Sequence, residues 1–266
     1  MIDNKFPSAQ EFCSELPLYY YYEVNDSNLE NFVSFARKTA TIDVFCPACL
    51  KDSTFKLREN NYGRNSIDID TWWEYYPFYE MRFICSRDRE HEISYTFQFD
   101  KNKGVQKIGQ YPSVYDVAIP KVKSYRKVLG EEQYKEFIKA IGLFSHGVGA
   151  GSLIYLRRIF ENLLEKAHLE ANQSEEWLKV HSATYTRATV SKKIEALADY
   201  LPEYLVGNKK IYSILSLGVH STPEEECLHL FPLMRVAIEL ILDQKIQTAR
   251  RKRKEAEIAS LLHQIP

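Results

Sequence analysis

The chain has 266 residues, of which 45% are hydrophobic and 27% charged, an ordinary composition for one large globular domain or two small ones. No apolar stretch approaches the roughly 20 residues that span a bilayer, and the N-terminus lacks the basic and apolar regions of a signal peptide, so we expect a soluble, cytoplasmic protein with no membrane partner. Because the formal net charge is only -1, any attraction to nucleic acid must come from a local patch.

The first 110 residues carry the alternating pattern of β-strands. Four stretches rich in aromatic and β-branched residues predict strands, at 39–45, 53–57, 79–84 and 92–99. The polar segment 59–71, with its asparagines and glycine, predicts turns between two of them. We therefore expect a β-rich module over residues 1–110.

Two cysteines, Cys46 and Cys49, lie in the stretch FCPACLKDSTF and could form a redox dithiol, a disulfide or half of a metal site. The chain has five cysteines, and an odd number in a reducing compartment argues against a disulfide framework. A redox pair of the thioredoxin type requires a strand that leads into a helix, because the helix N-terminus lowers the thiol pKa. Here a strand pattern follows Cys49 instead.

A second turn between strand-like stretches holds Cys85 and His91. With the first pair they make three thiolates and one imidazole, a ligand set suited to a closed, tetrahedral Zn²⁺ site. Such a site leaves no position for water, so the zinc would be structural. The spacing is less regular than in a zinc ribbon, and Asp88 is an alternative fourth ligand. A redox dithiol and a set of unrelated, buried thiols remain as alternatives.

After residue 110 the hydrophobic period becomes helical. Apolar side chains recur at helical spacing in four segments, at 134–141, 156–167, 190–197 and 211–215. The last helix is predicted to begin at Thr222–Pro223–Glu224–Glu225, a capping box with proline at the first helical position, and Pro232 is predicted to kink or restart it. We expect an α+β protein: a small, zinc-ribbon-like antiparallel β module, a helical bundle over residues 111–245, and a basic helical tail over residues 246–266.

Three helical features stand in a definite order. Residues 152–165 predict a helix with Arg157 and Glu161 on one face, a short helix with two lysines follows, and residues 208–220 predict a helix that ends in His220, ahead of the long final helix. This order resembles the HEPN superfamily, and specifically the bacterial zinc-ribbon-plus-HEPN proteins of unknown function. The resemblance implies an up-and-down helical bundle that often dimerises. Active HEPN members are metal-independent RNases of phage-defence and toxin systems, which use an arginine followed four to six residues later by a histidine.

The sequence departs from that RNase motif, because the corresponding positions before His220 hold no arginine. An RNase of this type needs a cation to stabilise developing charge and an imidazole to transfer a proton. Arg157, Arg158 or Lys210 are the candidates for the cation. The leading hypothesis is a homodimeric binding or sensing module with RNA or protein as its partner. The alternative is a metal-independent RNase that uses His220. In the simpler interpretation, His220 bonds to the adjoining helix cap, and Arg157 pairs with Glu161.

Two weaker signals remain. The glycine-rich stretch 147–152 resembles a phosphate-binding loop, but it follows a helix and lacks the lysine of such loops, so we expect a hinge with Ser152 as a helix cap and no nucleotide cofactor. The basic stretch 245–254, where the bundle runs into the tail, is a candidate for phosphate contacts by counterion release, or else a solvated helix. Its basic residues are Lys245, Arg250, Arg251, Lys252, Arg253 and Lys254.

Overall fold

A computed structural model describes residues 6–37, 40–60, 71–208, 211, 214 and 222–262. His220 and Lys210 lie outside the described residues. The chain divides into two compact units, one of Met1–Lys121 with Ser145–Gly147, and one of Val122–Phe144 with Val148–Pro266. An antiparallel sheet is followed by a helical region, which confirms the predicted α+β class.

Among the described residues, the first unit is built on six antiparallel strands in the spatial order β1-β6-β5-β4-β3-β2. The strands are β1 (Tyr21–Glu23), β2 (Thr41–Cys46), β3 (Lys51–Asn60), β4 (Phe78–Cys85), β5 (Glu92–Phe99) and β6 (Gly104–Tyr111). A π-helical turn (Glu11–Glu15) and helices α1 (Leu29–Arg37) and α2 (Trp72–Tyr75) accompany them, and α3 (Val114–Val122) follows the sheet. The four predicted strands correspond to β2, β3, β4 and β5.

Strict alternation in the central strands makes one face of the sheet apolar. In β4 the side chains of Tyr79, Met81 and Phe83 are buried, and their neighbours in sequence are more exposed. The same period runs through β5. Phenylalanines of α1 and of the N-terminal segment, among them Phe32 and Phe12, pack against this face edge to face or tilted. The sheet therefore has an aromatic core of its own.

The second unit is helical. Its elements are a 3₁₀ turn (Lys123–Tyr125), α4 (Arg126–Leu129), α5 (Glu131–Ser145), α6 (Gly149–Ala171), α7 (Glu175–Tyr185), α8 (Val190–Ala196), a 3₁₀ turn (Ala198–Tyr200), α9 (Glu203–Gly207) and α10 (Glu224–Leu262). Helix α6 packs along α10. Helix α10 runs without interruption through Pro232, so the prediction that this proline restarts the helix is wrong.

The N-terminus of α6 is held by α10. The backbone N–H groups of Gly149 and Ala150 donate to the carboxylate of Glu224, which provides the negative charge that a helix N-terminus favours. Ser152 lies inside the first turn and donates its hydroxyl to the carbonyl of Gly149. The prediction of Ser152 as the cap is therefore wrong. Because Glu224 already occupies the helix N-terminus, the glycine-rich stretch is not arranged as a phosphate-binding loop.

Within the residues that the structure describes, no helix is both long enough and apolar enough to cross a membrane.

Candidate metal centre

The topology of the first unit brings the two cysteine-bearing turns to the same end of the sheet. Strands β2 to β5 follow one another as antiparallel neighbours, so the β2–β3 and β4–β5 turns lie at the same end of the strands. Cys46 ends β2 and pairs with Lys51, and Cys85 ends β4 and pairs with Phe55. Cys49 lies in the first turn and His91 at the end of the second.

The four predicted ligands form one cluster. Their ligand atoms all lie within 4.8 Å of one another, and all the cysteines of the chain are free thiols. The Sγ atoms of Cys49 and Cys85 are 3.9 Å apart. Nδ1 of His91 lies 3.6 Å from Sγ of Cys46 and 3.2 Å from Sγ of Cys49. The cluster could therefore bind a metal through three sulfurs and the Nδ1 nitrogen.

These distances fit the dimensions of a tetrahedral zinc site. Bond lengths of about 2.3 Å for Zn–S and about 2.0 Å for Zn–N give tetrahedron edges of about 3.8 Å between sulfurs and about 3.5 Å between sulfur and nitrogen. The S–S separation of 3.9 Å and the S–N separations of 3.6 and 3.2 Å lie within about 0.3 Å of these values. The thiolates and the imidazole belong to the donor classes that suit zinc.

Local hydrogen bonds hold the sulfurs in place. The backbone N–H of Cys49 donates to Sγ of Cys46 at 3.4 Å, and the N–H of Arg87 donates to Sγ of Cys85 at the same distance. The buried hydroxyl of Ser53 lies 3.1 Å from Sγ of Cys85. Each turn therefore directs backbone dipoles at a sulfur, which favours the thiolate that a metal requires.

The thiols differ in acidity because their surroundings differ. Burial raises the pKa of Cys85, but hydrogen bonds from Ser53 and from the backbone N–H groups of Arg87 and Asp88 outweigh it and lower the pKa to about 7. Burial, together with the neighbouring thiols of Cys46 and Cys85, raises the pKa of Cys49 to about 11. Three sulfurs this close disfavour a second negative charge, and a divalent cation bound to all three would offset that repulsion.

The carboxylate of Asp88 lies beside the His91 ring, on the side away from the sulfurs. Its Oδ2 atom is 3.4 Å from Nε2 of His91, whereas Nδ1 faces the sulfurs. A carboxylate at this position fixes the orientation of a metal-binding histidine. Sequence reasoning named Asp88 only as a substitute ligand. The three-residue spacing between Asp88 and His91 within one tight turn is the signal that could have indicated this supporting position.

The redox alternative is not favoured by the local structure. After Cys49 the chain passes through Leu50 directly into β3, so the Cys46–Cys49 pair leads into a strand and not into a helix. Burial and the neighbouring thiols also raise the pKa of Cys49, which disfavours a reactive thiolate on that sulfur.

The other predicted site residues do not form a common cluster among the described residues. Arg157 pairs with Glu161 one helical turn away, with Nε 2.9 Å from the carboxylate. Arg158 pairs with Glu136, and Lys245 pairs with Glu170. Arg251 pairs with Glu255 on the exposed part of α10. The remaining basic residues of the tail, Arg250, Lys252, Arg253 and Lys254, are exposed.

No protein-family model, no curated protein and no solved structure matches this chain.

Proposed function

We propose that this chain is a zinc-stabilised binding module of the cytoplasm, in which Cys46, Cys49, Cys85 and His91 hold one structural Zn²⁺. The observation that carries the proposal is the convergence of three Sγ atoms and Nδ1 of His91 within 4.8 Å. A reducing compartment keeps the three thiols available to a metal.

A structural role for the metal follows from the number of protein ligands. Four protein ligands fill a tetrahedral zinc shell, so no position is left for water or substrate. The ion would link the β2–β3 turn to the β4–β5 turn, which are neighbours because β3 pairs with β4. Such a cross-link stabilises the folded state because the unfolded chain does not present the four ligands together.

A protein is the partner that the described surface favours over RNA. The residues from Arg250 to Lys254 are consecutive in a helix, and successive side chains are about 100° apart around the axis, so they surround the helix and form no single basic face. A phosphate-binding surface concentrates its cations on one side. The same helix exposes apolar side chains, which are typical of protein interfaces.

The RNase alternative has less support. It requires His220 and a cation. His220 and the candidate cation Lys210 lie outside the described residues, and Arg157 and Arg158 are both engaged with glutamates. Total RNA incubated with the purified protein in EDTA tests the alternative. We expect no cleavage that depends on His220. RNA cleavage that is abolished by His220→Ala would favour the enzyme over the binding module.

Zinc stoichiometry tests the metal site. Elemental analysis of the wild type should find one zinc per chain, and Cys85→Ser and His91→Ala should each lose it. Cys227→Ser is the matched control, because Cys227 is a buried thiol outside the cluster, and it should retain zinc. Absence of zinc from the wild type, even after refolding with Zn²⁺, would contradict the proposal.

A further inference from the structure

Helix α10 has two apolar faces on opposite sides. One face is buried against the other helices of the second unit and includes Cys227, Phe231, Met234, Ile238, Ile241 and Leu242. At about 100° per residue, a second stripe follows the opposite side of the helix. This outer stripe consists of Leu233, Val236, Leu240, Asp243, Gln247, Arg251, Lys254, Ile258 and Leu261.

Four of the five apolar members of the outer stripe are open to solvent, and Leu240 is partly buried. Leu233, Val236, Ile258 and Leu261 are between 43% and 57% exposed. Residues 247–262 of the same helix are exposed on every side. A helix of this length without packing is only marginally stable in water, and an apolar stripe on it is typical of an interaction surface.

The sequence of the outer stripe is complementary to itself when read in the opposite direction. When the sequence is reversed about Gln247, each apolar residue of the first half falls opposite an apolar residue or a lysine of the second half, and the acidic residue falls opposite a basic one. The resulting pairs are Leu233 with Leu261, Val236 with Ile258, Leu240 with Lys254, and Asp243 with Arg251. Gln247 falls opposite itself.

We infer that the outer stripe of α10 binds the same stripe of a second copy of this chain, antiparallel and centred on Gln247. In this register the apolar ends of the two helices cover each other, and two Asp243–Arg251 ion pairs flank the centre. A parallel pairing would place Asp243 against Asp243 and Arg251 against Arg251, and like charges at an interface disfavour association. The inference concerns α10 alone and does not depend on the metal site.

The charges of the outer stripe allow a test that separates this interface from any other. Asp243→Arg places two arginines at each flanking pair, and Arg251→Asp places two aspartates there. Each single variant should weaken dimerisation at least tenfold, as two reversed ion pairs imply. An equimolar mixture of the two variants should dimerise again, because every pair in the mixed dimer joins Arg and Asp. Sedimentation of the full chain over a range of concentrations measures the association.

Two controls distinguish loss of the interface from other effects of the substitutions. Asp243 also accepts a hydrogen bond from the hydroxyl of Tyr125, so Tyr125→Phe shows what loss of that bond does alone, and it should leave dimerisation unchanged. The recovery in the mixture cannot arise if either variant fails to fold. A wild type that stays monomeric at every concentration, or single variants that dimerise as tightly as the wild type, would overturn the inference.

Cross-linking tests the register directly. Gln247→Cys should form a disulfide between two copies under mild oxidation, because position 247 lies on the two-fold axis of the proposed pair. Lys252→Cys is the matched control, since residue 252 is equally exposed but lies on the other side of the helix. We expect the disulfide-linked dimer of Gln247→Cys to form at least tenfold faster than that of Lys252→Cys. Equal rates for the two variants would overturn the proposed register.

Discussion

Oδ2 of Asp88 lies 3.4 Å from Nε2 of His91, on the side of the ring opposite the sulfurs of Cys46 and Cys49. The histidine therefore has one nitrogen directed at the cysteine cluster and the other at a carboxylate. Oδ1 of Asp88 accepts the N–H of Glu90, so the same side chain also shapes the turn that carries the histidine.

Replacing Asp88 should weaken metal binding without removing it. Asp88→Asn keeps an oxygen for the N–H of Glu90 but loses the charge that supports the imidazole, and outer-shell changes of this kind cost about 10–100-fold in metal affinity. We expect a loss near the lower limit, measured by competition with a chromogenic zinc chelator. Glu90→Gln removes a neighbouring exposed charge and should leave the affinity unchanged. An unchanged affinity in Asp88→Asn would show that the carboxylate does not support the ligand.

Replacing Leu50 with glycine should stabilise the protein. Its φ angle is +54°, in the left-handed region, and its side chain is 66% exposed, so it contributes little burial. The left-handed conformation costs a residue with Cβ about 1–2 kcal/mol, and glycine loses about 0.5–1 kcal/mol through the entropy of the unfolded chain. Leu50→Gly should therefore raise the free energy of unfolding by up to about 1 kcal/mol.

Denaturant unfolding of the zinc-loaded protein measures the effect of Leu50→Gly. Lys51→Gly, one residue further along in strand β3, is the control, and it should destabilise the protein because its backbone is already extended. A lower stability for Leu50→Gly would indicate that the exposed leucine makes contacts beyond its own turn.

The sequence predicted the parts of the structure that depend on local pattern. The cysteine-bearing turns could be found because short-range spacing defines them, and β2 to β5 could be found because their apolar residues alternate. Strand β6 was missed because it contains two glycines and places Lys107 on the buried face, so the alternation is broken. The edge strand β1 was missed as well, because its 3 residues are too few to show an alternating pattern.

Long-range partners could not be predicted in the same way. Glu224 caps α6 from 75 residues away in sequence, and no local pattern at Gly149 indicates which carboxylate arrives there. The sequence pattern at Thr222 predicted Glu224 only as a residue in the first turn of α10, not as the cap of α6. The sequence spacing of Asp88 and His91 indicates that the two residues are close. Whether Asp88 acts as a ligand or supports the histidine depends on which ring nitrogen faces the sulfurs, and the sequence does not show this.

Two helical glycines should respond to alanine with opposite signs. A Cβ on Gly149 would lie 2.6 Å from the carbonyl oxygen of Glu224 and 2.8 Å from the backbone nitrogen of Leu228, and backbone atoms of a long helix do not move aside easily. Gly149→Ala should cost about 1–3 kcal/mol, as overpacking does. A Cβ on Gly142 in α5 meets nothing within 4 Å, so Gly142→Ala should gain up to about 1 kcal/mol of helix propensity.

Thermal and denaturant unfolding of the two alanine variants compares them directly. Equal effects of Gly149→Ala and Gly142→Ala would show that α6 and α10 are not in close contact at Gly149.

Lys107 should make the stability of the protein depend on pH. The side chain is buried, and its ammonium donates to the carbonyls of Cys13 at 2.8 Å and Leu16 at 2.6 Å. Burial lowers the pKa of Lys107 from its ordinary 10.5 to about 8, and the nearby Cys13 opposes this only in part. Between pH 8 and 10.5 the unfolded chain binds more protons at this site than the folded chain, so the free energy of unfolding rises with pH.

The pH range from 7 to 9 contains the onset of this effect. Burial raises the pKa of Cys13 to about 12 from an ordinary 9.0, so ionisation of Cys13 in the unfolded chain lowers stability as the pH approaches 9 and offsets part of the rise. With a pKa of about 8 in the folded state, Lys107 should add roughly 1 kcal/mol to the free energy of unfolding across these two pH units.

The matched variant is Lys107→Met, which keeps the apolar stem and removes the charge, so its stability should lack this rise. Lys101→Met, at an exposed position, should keep the wild-type pH dependence. Urea unfolding of the three proteins at pH 7, 8 and 9 measures the slopes. If the wild type and Lys107→Met gave the same slope, the lysine would have an ordinary pKa despite its burial, and water would have to reach its ammonium group beside Cys13 and Leu16.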